Sequence, residues 1–337
     1  MKALSLEETF GLEQLRLVER EDRHPRRGEI LLEMKAASLN YRDLLLVKGH
    51  YDPRQPLPLI PGSDGVGVVI AVGEGVERFA EGDRVLPIFA QRWIAGPPTR
   101  ERLRSTLGGP LDGVLCERMV ISAEAAVLAP PHLSHLEAAT LPCAALTAWT
   151  ALVVEGGLKA GDTVLVQGSG GVSIFALQLA KLFGARVIAT SSSDEKLERM
   201  CELGADVGVN YKKEPKWGRK VRQLAGGEGV DIVVEVGGAH TLGESLKALR
   251  VGGFIGMIGV LSGTRAPVDL LPLLMGYVRI QGILVGNRDN FEAMNLALGA
   301  AQLRPVLDRT FPLSEVGLAL ETMASGAHFG KIVIEIG

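Results

Sequence analysis

Apolar residues in the first 130 positions come in short runs broken by turn residues: "EILLEMKAAS" (29–38), "VGVVIAVG" (66–73), "GDRVLPIF" (82–89) and "CERMVISAEAAVLAP" (116–130). Such runs predict the short strands of a small antiparallel, barrel-like domain. From about residue 145 to 284 the rhythm becomes strand, helix, strand, the pattern that builds a parallel sheet with crossover helices. Six successive strands are read there: "TVLVQG", "ARVIAT", "DVGVNY", "DIVVEVG", "FIGMIGV" and "RIQGILV". The remainder holds one more helical stretch and a final strand, "KIVIEIG", expected to return to the first domain. An α/β chain divided at 1–144, 145–284 and 285–337 is therefore expected, since 337 residues exceed what one core usually supports.

Within the second domain, "DTVLVQGSGGVSIFALQLAKLFGARVIATSSS" (162–193) reads as strand, glycine turn, helix and strand. In that order a helix N-terminus offers free N–H groups and the positive end of its dipole to a pyrophosphate. Gly168, Ser169, Gly170, Gly171 and Val172 form the candidate dinucleotide cradle. Gly168 and Gly170 permit a tight turn and close backbone approach, and Ser173 takes the place of the usual third glycine. Val172, Phe175, Ala176, Leu179 and Phe183 recur at helical spacing and supply the face that packs on the sheet.

About 20 residues after such a loop, NAD binders place an acid that accepts from the ribose 2′-hydroxyl. Here "TSSSDEK" (190–196) puts neutral Ser191 and Ser192 at that place, leaving room for a 2′-phosphate. Lys196, one turn into the next helix, can supply charge, and Tyr211 can reach the same region. NADPH is expected over NADH. A second reading needs no cofactor: Ser192 and Glu195 form a capping box. Cys201, one turn past Leu197, is expected in the core.

Composition removes several function classes. A formal net charge of -3 without a dominant basic block argues against nucleic acid. No apolar run is expected to approach the ~18 residues of a membrane span. The opening "MKALSLEETFGLEQLRL" lacks the apolar centre of a signal peptide. Cys116, Cys143 and Cys201 are scattered and odd in number, which suits a reducing cytoplasm, and no C-x-x-C zinc spacing occurs. "HLSH" (His132, His135) follows a proline pair and is expected to face solvent.

Beyond these local signals, the chain resembles the medium-chain dehydrogenase/reductases, and among them the zinc-lacking, quinone-oxidoreductase-like branch. The matching stretches are "ASLNYRDLLLVKGHY" (37–51), "LIPGSDGVGVVIAVGEGV" (59–76), "GDRV" (82–85), "AATLPCAALTAW" (138–149), the glycine-loop segment, "LGADVGVNY" (203–211), "VVEVGG" (233–238) and "GKIVIEI" (330–336). The resemblance implies a GroES-like catalytic domain split around a Rossmann domain, an oligomer, most simply a homodimer, and a small-molecule substrate. In zinc-dependent members the equivalent of Gly62-Ser63-Asp64 is Gly-His-Glu, a Cys stands at the equivalent of Asn40, and another at Cys143. Only Cys143 is kept, and the four-cysteine lobe is replaced by the cysteine-free stretch 90–113. No zinc is expected, and Asp64 is left as a carboxylate behind the site.

Without a metal, charge that spreads through conjugation is easier to stabilise than an alkoxide. The expected chemistry is hydride delivery from NADPH to an activated C=C bond or a quinone. Asn40 can orient the nicotinamide or donate to the substrate oxygen, and Tyr41 can supply the proton. The alternative is that Tyr41 packs behind the site while Arg42 and Asp43 pair. By resemblance Thr147 belongs near the nicotinamide, Gly237 lines the dinucleotide site, and Gly259, Val260 and Val285 offer backbone contacts. Lys331 either approaches the cofactor or is a solvated edge charge. Two rival functions are an alcohol dehydrogenase with a metal on Cys143 and Asp64, and a non-catalytic NADPH-binding sensor or structural protein.

Overall fold

The computed structural model describes every residue from Met1 to Gly337, in two compact units: Met1–Leu146 with Gly286–Gly337, and Thr147–Val285. In the second unit six strands make a wholly parallel sheet, ordered Val207–Asn210, Arg186–Ser191, Thr163–Gln167, Val230–Glu235, Leu249–Met257, Arg279–Gly282. By chain order within the unit this is the doubly wound sequence 3-2-1-4-5-6. Val164 to Val166, Val187 to Ala189 and Ile232 to Val234 are all buried, as strands covered by helices on both faces must be. The order reverses between Thr163–Gln167 and Val230–Glu235, where such sheets leave a crevice at the carboxyl ends of the strands.

Several local expectations are corrected in this unit. The helix Gly171–Leu182 buries Ser173 to Leu177 without a break, so its apolar face is wider than one stripe, while Val172 and Phe183 are only half-buried. The helix Asp194–Glu202 turns Leu197 and Met200 inward and leaves Cys201 exposed. Its cap is Ser193, whose Oγ accepts from the Lys196 amide at 3.3 Å, so the Ser192–Glu195 capping box is wrong by one residue. Ser192 still belongs to the turn, its carbonyl accepting from Asn210 Nδ2 at 3.5 Å. The sixth strand stops at Gly282, and Val285 lies beyond it in the left-handed region at φ 54°. That strand is exposed along its whole length at the sheet edge.

The first unit holds a two-stranded antiparallel sheet, Lys2–Leu6 with Leu15–Glu19, and a seven-stranded sheet. Its path runs Leu307–Pro312, Lys331–Glu335, Glu29–Ser38, Asp64–Val72, Arg84–Pro87, Ala126–Leu128, with Arg118–Ser122 also on Glu29–Ser38. Alternation in "EILLEM" sends Ile30, Leu32 and Met34 into the core and leaves the residues between them half-exposed. Every pairing is antiparallel except Leu307–Pro312 with Lys331–Glu335, which is parallel because the helix Val316–Ala324 carries the chain back across. Within the first 130 residues the strands pair only antiparallel, as expected, and the one parallel pair lies in the returning segment.

Two further expectations change. The run His135–Val154 has 20 residues with mean hydropathy 1.4, so a stretch of spanning length does exist; 78% of its most apolar window is buried inside the protein. His132 and His135 are half-buried rather than solvent-facing, with His132 Nε2 3.0 Å from the Leu303 carbonyl.

Candidate active site and dinucleotide cradle

In the first unit the chain turns at Gly62, where φ is 89° and an added Cβ would lie 2.8 Å from Leu115 Cγ, so only glycine fits. The turn delivers Ser63 and Asp64 to fully buried positions. Asn40 caps the helix Tyr41–Val47, its backbone N–H donating to Asp43 Oδ2 at 2.8 Å. Asn40 Nδ2 donates to Ser63 Oγ at 3.2 Å, and Ser63 Oγ donates to Asp64 Oδ1 at 3.1 Å. The Cys143 amide and Ser38 Oγ donate to Asp64 Oδ2 at 3.3 and 3.4 Å.

Lys331 completes this cluster. It is 3% exposed, so it is no solvated edge charge. Its ammonium donates to Asn40 Oδ1 at 2.7 Å and the Leu39 carbonyl at 2.8 Å, and lies 3.6 Å from Asp64 Oδ2. Those contacts engage it inside the first unit. Burial raises the Asp64 carboxyl above its ordinary range, opposed by the Lys331 ammonium and by hydrogen bonds from Asn40, Ser63 and the Cys143 amide. Burial, reinforced by the Asp64 carboxylate, pushes the Cys143 thiol far up.

Beside the cluster, Tyr41 is 43% exposed and is not packed behind Asn40. Arg42 and Asp43 are 3.7 Å apart, but Arg42 spends its hydrogen bonds elsewhere, on the carbonyls of Leu107 at 2.8 Å and Gly109 at 3.1 Å. Its guanidinium lies 4.9 Å from the ring centres of both Tyr51 and Phe89. Burial lifts Asp43 to about 6, against the pull of Arg42 and the Asn40 amide. A carboxyl raised in the folded state adds stability that is complete below its unfolded value and is lost as pH rises through the folded one. Asp43→Asn is therefore expected to remove a stability loss of about 2 kcal/mol between pH 4 and 6. Denaturant unfolding at both pH values checks this. A wild-type-to-variant difference that is the same at both would sink it.

In the second unit, Gly168 has φ 71°, and a Cβ on Gly168 or Gly170 would meet nothing within 4 Å, leaving open space over the loop. No side chain caps the helix Gly171–Leu182, so the amides of its first turn face outward for an anion. Ser173 replaces the third glycine usefully: its Oγ donates to the Gln167 carbonyl at 2.6 Å and pins helix to strand. These residues fit a dinucleotide pyrophosphate.

Ser191, Ser192, Lys196 and Tyr211 gather at the ends of the second and third strands, where the Tyr211 amide donates to the Ser191 carbonyl at 3.1 Å. The first acid after the serines, Asp194, is taken by Lys213 Nζ at 2.5 Å and Asn210 Nδ2 at 2.8 Å, which hold its carboxyl below the usual range. The loops after the fourth and fifth strands interlock. A Cβ on Gly259 would lie 2.3 Å from the Val236 carbonyl, and the Ser262 amide donates to the Gly237 carbonyl at 2.7 Å. One on Gly238 would lie 2.8 Å from Val260 Cα. Thr147 and Val285 stand at the two ends of this unit, both buried, and Val285 is a β-branched residue in a strained conformation.

Sequence reasoning missed Glu235, at the strand end beside Gly168's strand. It is fully buried with no cation near; Oε1 accepts from the amides of Gly237 at 2.8 Å and Gly238 at 3.0 Å and from Thr241 Oγ1 at 2.6 Å. Oε2 accepts from Gln167 Nε2 at 2.9 Å and from Ser245 Oγ. The available signal was an acid inside the apolar run "DIVVEVGG".

This arrangement has known counterparts. Residues 26–131 match the profile of the alcohol dehydrogenase GroES-like domain, and residues 171–299 that of the zinc-binding dehydrogenases. A zinc-type alcohol dehydrogenase-like protein of Schizosaccharomyces pombe is 44% identical over 92% of this chain and 91% of its own length. The chain belongs to the medium-chain dehydrogenase/reductase superfamily. Another member, the acryloyl-coenzyme A reductase of Metallosphaera sedula, is 32% identical over 93% of this chain and 94% of its own. Among solved members, an NAD-dependent alcohol dehydrogenase superposes with TM-score 0.92 at 35% identity, covering all of both chains. The 2-octenoyl-CoA carboxylase reductase CinF, in complex with NADP and 2-octenoyl-CoA, gives 0.89 at 27% identity over 99% of this chain and 87% of its own. As a superfamily member the protein is an NAD(P)-dependent oxidoreductase, with a GroES-like unit and a Rossmann unit.

Proposed function

We propose that this oxidoreductase is an NADPH-dependent reductase that works without zinc and delivers hydride to an activated C=C bond or a quinone. One observation carries the reading: Asn40 and Ser63, at positions where zinc-using members place a cysteine and a histidine, are bound to each other, to Lys331 and to Asp64. A catalytic zinc takes three protein ligands and an open position. The donors here are an amide, a hydroxyl, a thiol held protonated by burial, and a carboxylate already facing an ammonium. They do not fit zinc. Without a Lewis acid, a substrate whose developing charge spreads over an enolate or hydroquinone is favoured over an alkoxide. The relatives named acryloyl-coenzyme A reductase and 2-octenoyl-CoA carboxylase reductase support the same class.

Elemental analysis tests the metal. Purified protein is expected to hold far less than one zinc per chain and to keep its activity in chelator. The names of other relatives favour an alcohol dehydrogenase, for which the metal would have to rest on Cys143 and Asp64. Stoichiometric zinc, lost together with activity, would establish that reading instead.

The dinucleotide, when bound, supplies the hydride. Ser191 where an acid would select NADH, Asp194 drawn away to Lys213, and the charge of Lys196 support NADPH as the partner. NADPH is expected to bind more tightly than NADH, and Lys196→Ala to erode the difference. Equal dissociation constants for the two cofactors in the unmodified protein would refute the preference. Three free cysteines are consistent with the cytoplasmic location that completes the proposal.

A further inference from the structure

The segment "RWIAGPPTRERLR" (92–104) carries four arginines and one acid in a chain whose net charge is -3. Arg92, Arg100 and Arg104 line an open pocket of about 480 Å³ together with Glu101, Ser105 and Leu111. Arg102 is turned away, donating to the Pro97 carbonyl at 2.6 Å, and Arg92 pairs with Glu101 at 3.2 Å. The guanidinium groups of Arg100 and Arg104 have no hydrogen-bond or ion-pair partner. The wall behind them is fixed. Ser105 is 2% exposed, and its Oγ accepts from the Arg92 amide at 2.9 Å and donates to the Arg102 carbonyl at 2.6 Å. Unpaired guanidinium forks on a held backbone suit a ligand with phosphate groups.

Both ends of the pocket lead to the catalytic turn. Beyond Arg104 the chain reaches Gly108, where a Cβ would lie 2.7 Å from the Gly62 amide nitrogen; beyond Leu111 it reaches Gly113, where one would lie 2.1 Å from the Gly62 carbonyl. Arg42 ties the same stretch to the helix that Asn40 caps, through Leu107 and Gly109. Four residues from Arg104 to Gly108 span at most ~14 Å. A substrate reacting beside Ser63 and Asp64 can therefore keep an anionic tail in the arginine pocket if it is extended.

We propose that this pocket holds the phosphate groups of a coenzyme A thioester whose enoyl end is reduced at the Asn40–Ser63–Asp64 turn. The proposal rests on the reductase reading above and names its substrate class. In the reaction the hydride forms a C–H bond at the β-carbon, and the π pair of the C=C bond moves toward the α-carbon and thioester oxygen. A proton then closes the α-carbon; NADPH is oxidised to NADP⁺ and the enoyl thioester is reduced to the saturated one. The phosphates take no part in the chemistry and act only in binding.

The test compares three substrates in the intact enzyme with NADPH: crotonoyl-CoA, the crotonoyl thioester of pantetheine, which lacks the phosphates, and a small uncharged enone. Wild-type KM for the CoA thioester is expected to be about 10- to 100-fold below that for the pantetheine thioester, from two charge-assisted contacts. The double variant Arg100→Ala, Arg104→Ala removes exposed side chains, so folding is spared; it should erase that difference without changing kcat or KM for the pantetheine thioester. Equal KM values in the wild type, or a double variant that weakens both thioesters alike, overturn the proposal. Turnover of the enone with neither thioester overturns the CoA assignment and leaves the reductase reading standing. No NADPH consumption with any of the three overturns both.

Discussion

Tyr41→Phe is expected to lower turnover of an enone by about 10²- to 10⁴-fold while leaving NADPH affinity nearly unchanged, the range that general acid catalysis commands. Hydride addition at the β-carbon leaves negative charge on the carbonyl oxygen and α-carbon, so an acid is needed near the latter. Asn40 cannot be that acid, since its amide is held between Lys331 and Ser63. Tyr41 is the next residue, with its side chain 43% exposed on the first turn of its helix. A quinone, whose reduced oxygens can take protons from water, should be far less affected by the substitution. Undiminished rates of Tyr41→Phe on both an enone and a quinone would show that solvent supplies the proton.

Glu235→Leu carries the largest expected loss of stability. The replacement strips the acceptor from the amides of Gly237 and Gly238 and from Gln167 Nε2, three buried donors. At about 1–3 kcal/mol for each donor left unsatisfied, a cost of about 3 kcal/mol or more is expected. Because Gln167 precedes the glycine loop and Gly237 follows the opposite strand, NADPH affinity should also fall about tenfold or more. Glu235→Gln should cost much less. Gln167 Oε1 is buried without a partner, so a flipped Gln167 amide can accept from the new side chain. Thermal unfolding and cofactor titration of the two variants check this; equal losses in both would mean that the site needs two charged acceptor oxygens, which the isosteric glutamine cannot supply.

The Rossmann unit was legible because its central strands are buried on both faces and so read as unbroken apolar runs, with the glycine loop falling between the first strand and its helix. What a period of 3.6 or 2 does not encode was read less well. The cap on Asp194–Glu202 moved one residue because three consecutive serines are equivalent as caps, and Cys201 turned out exposed because Leu197 and Met200 alone satisfy the inward face. Lys331 was indistinguishable from an edge lysine by local pattern. Its partner Asn40 is 291 positions away and meets it only through strand pairing. Glu235 was hidden for the same reason, since four of its donors come from a loop and helix that follow it and the fifth from a different strand.

The GroES-like unit is assembled from two stretches separated by the entire Rossmann unit. On a growing chain, Lys331–Glu335 emerges only after the inner unit is complete. Until it does, Asp64 has no ammonium to face, and Ala36–Ser38 lacks the neighbouring strand that pairs with it. The contiguous unit can close at once, whereas the outer sheet must wait for a strand from far along the chain. Until that strand arrives, the Ala36–Ser38 side of the outer sheet is an unpaired edge, the kind of edge on which chains pair wrongly.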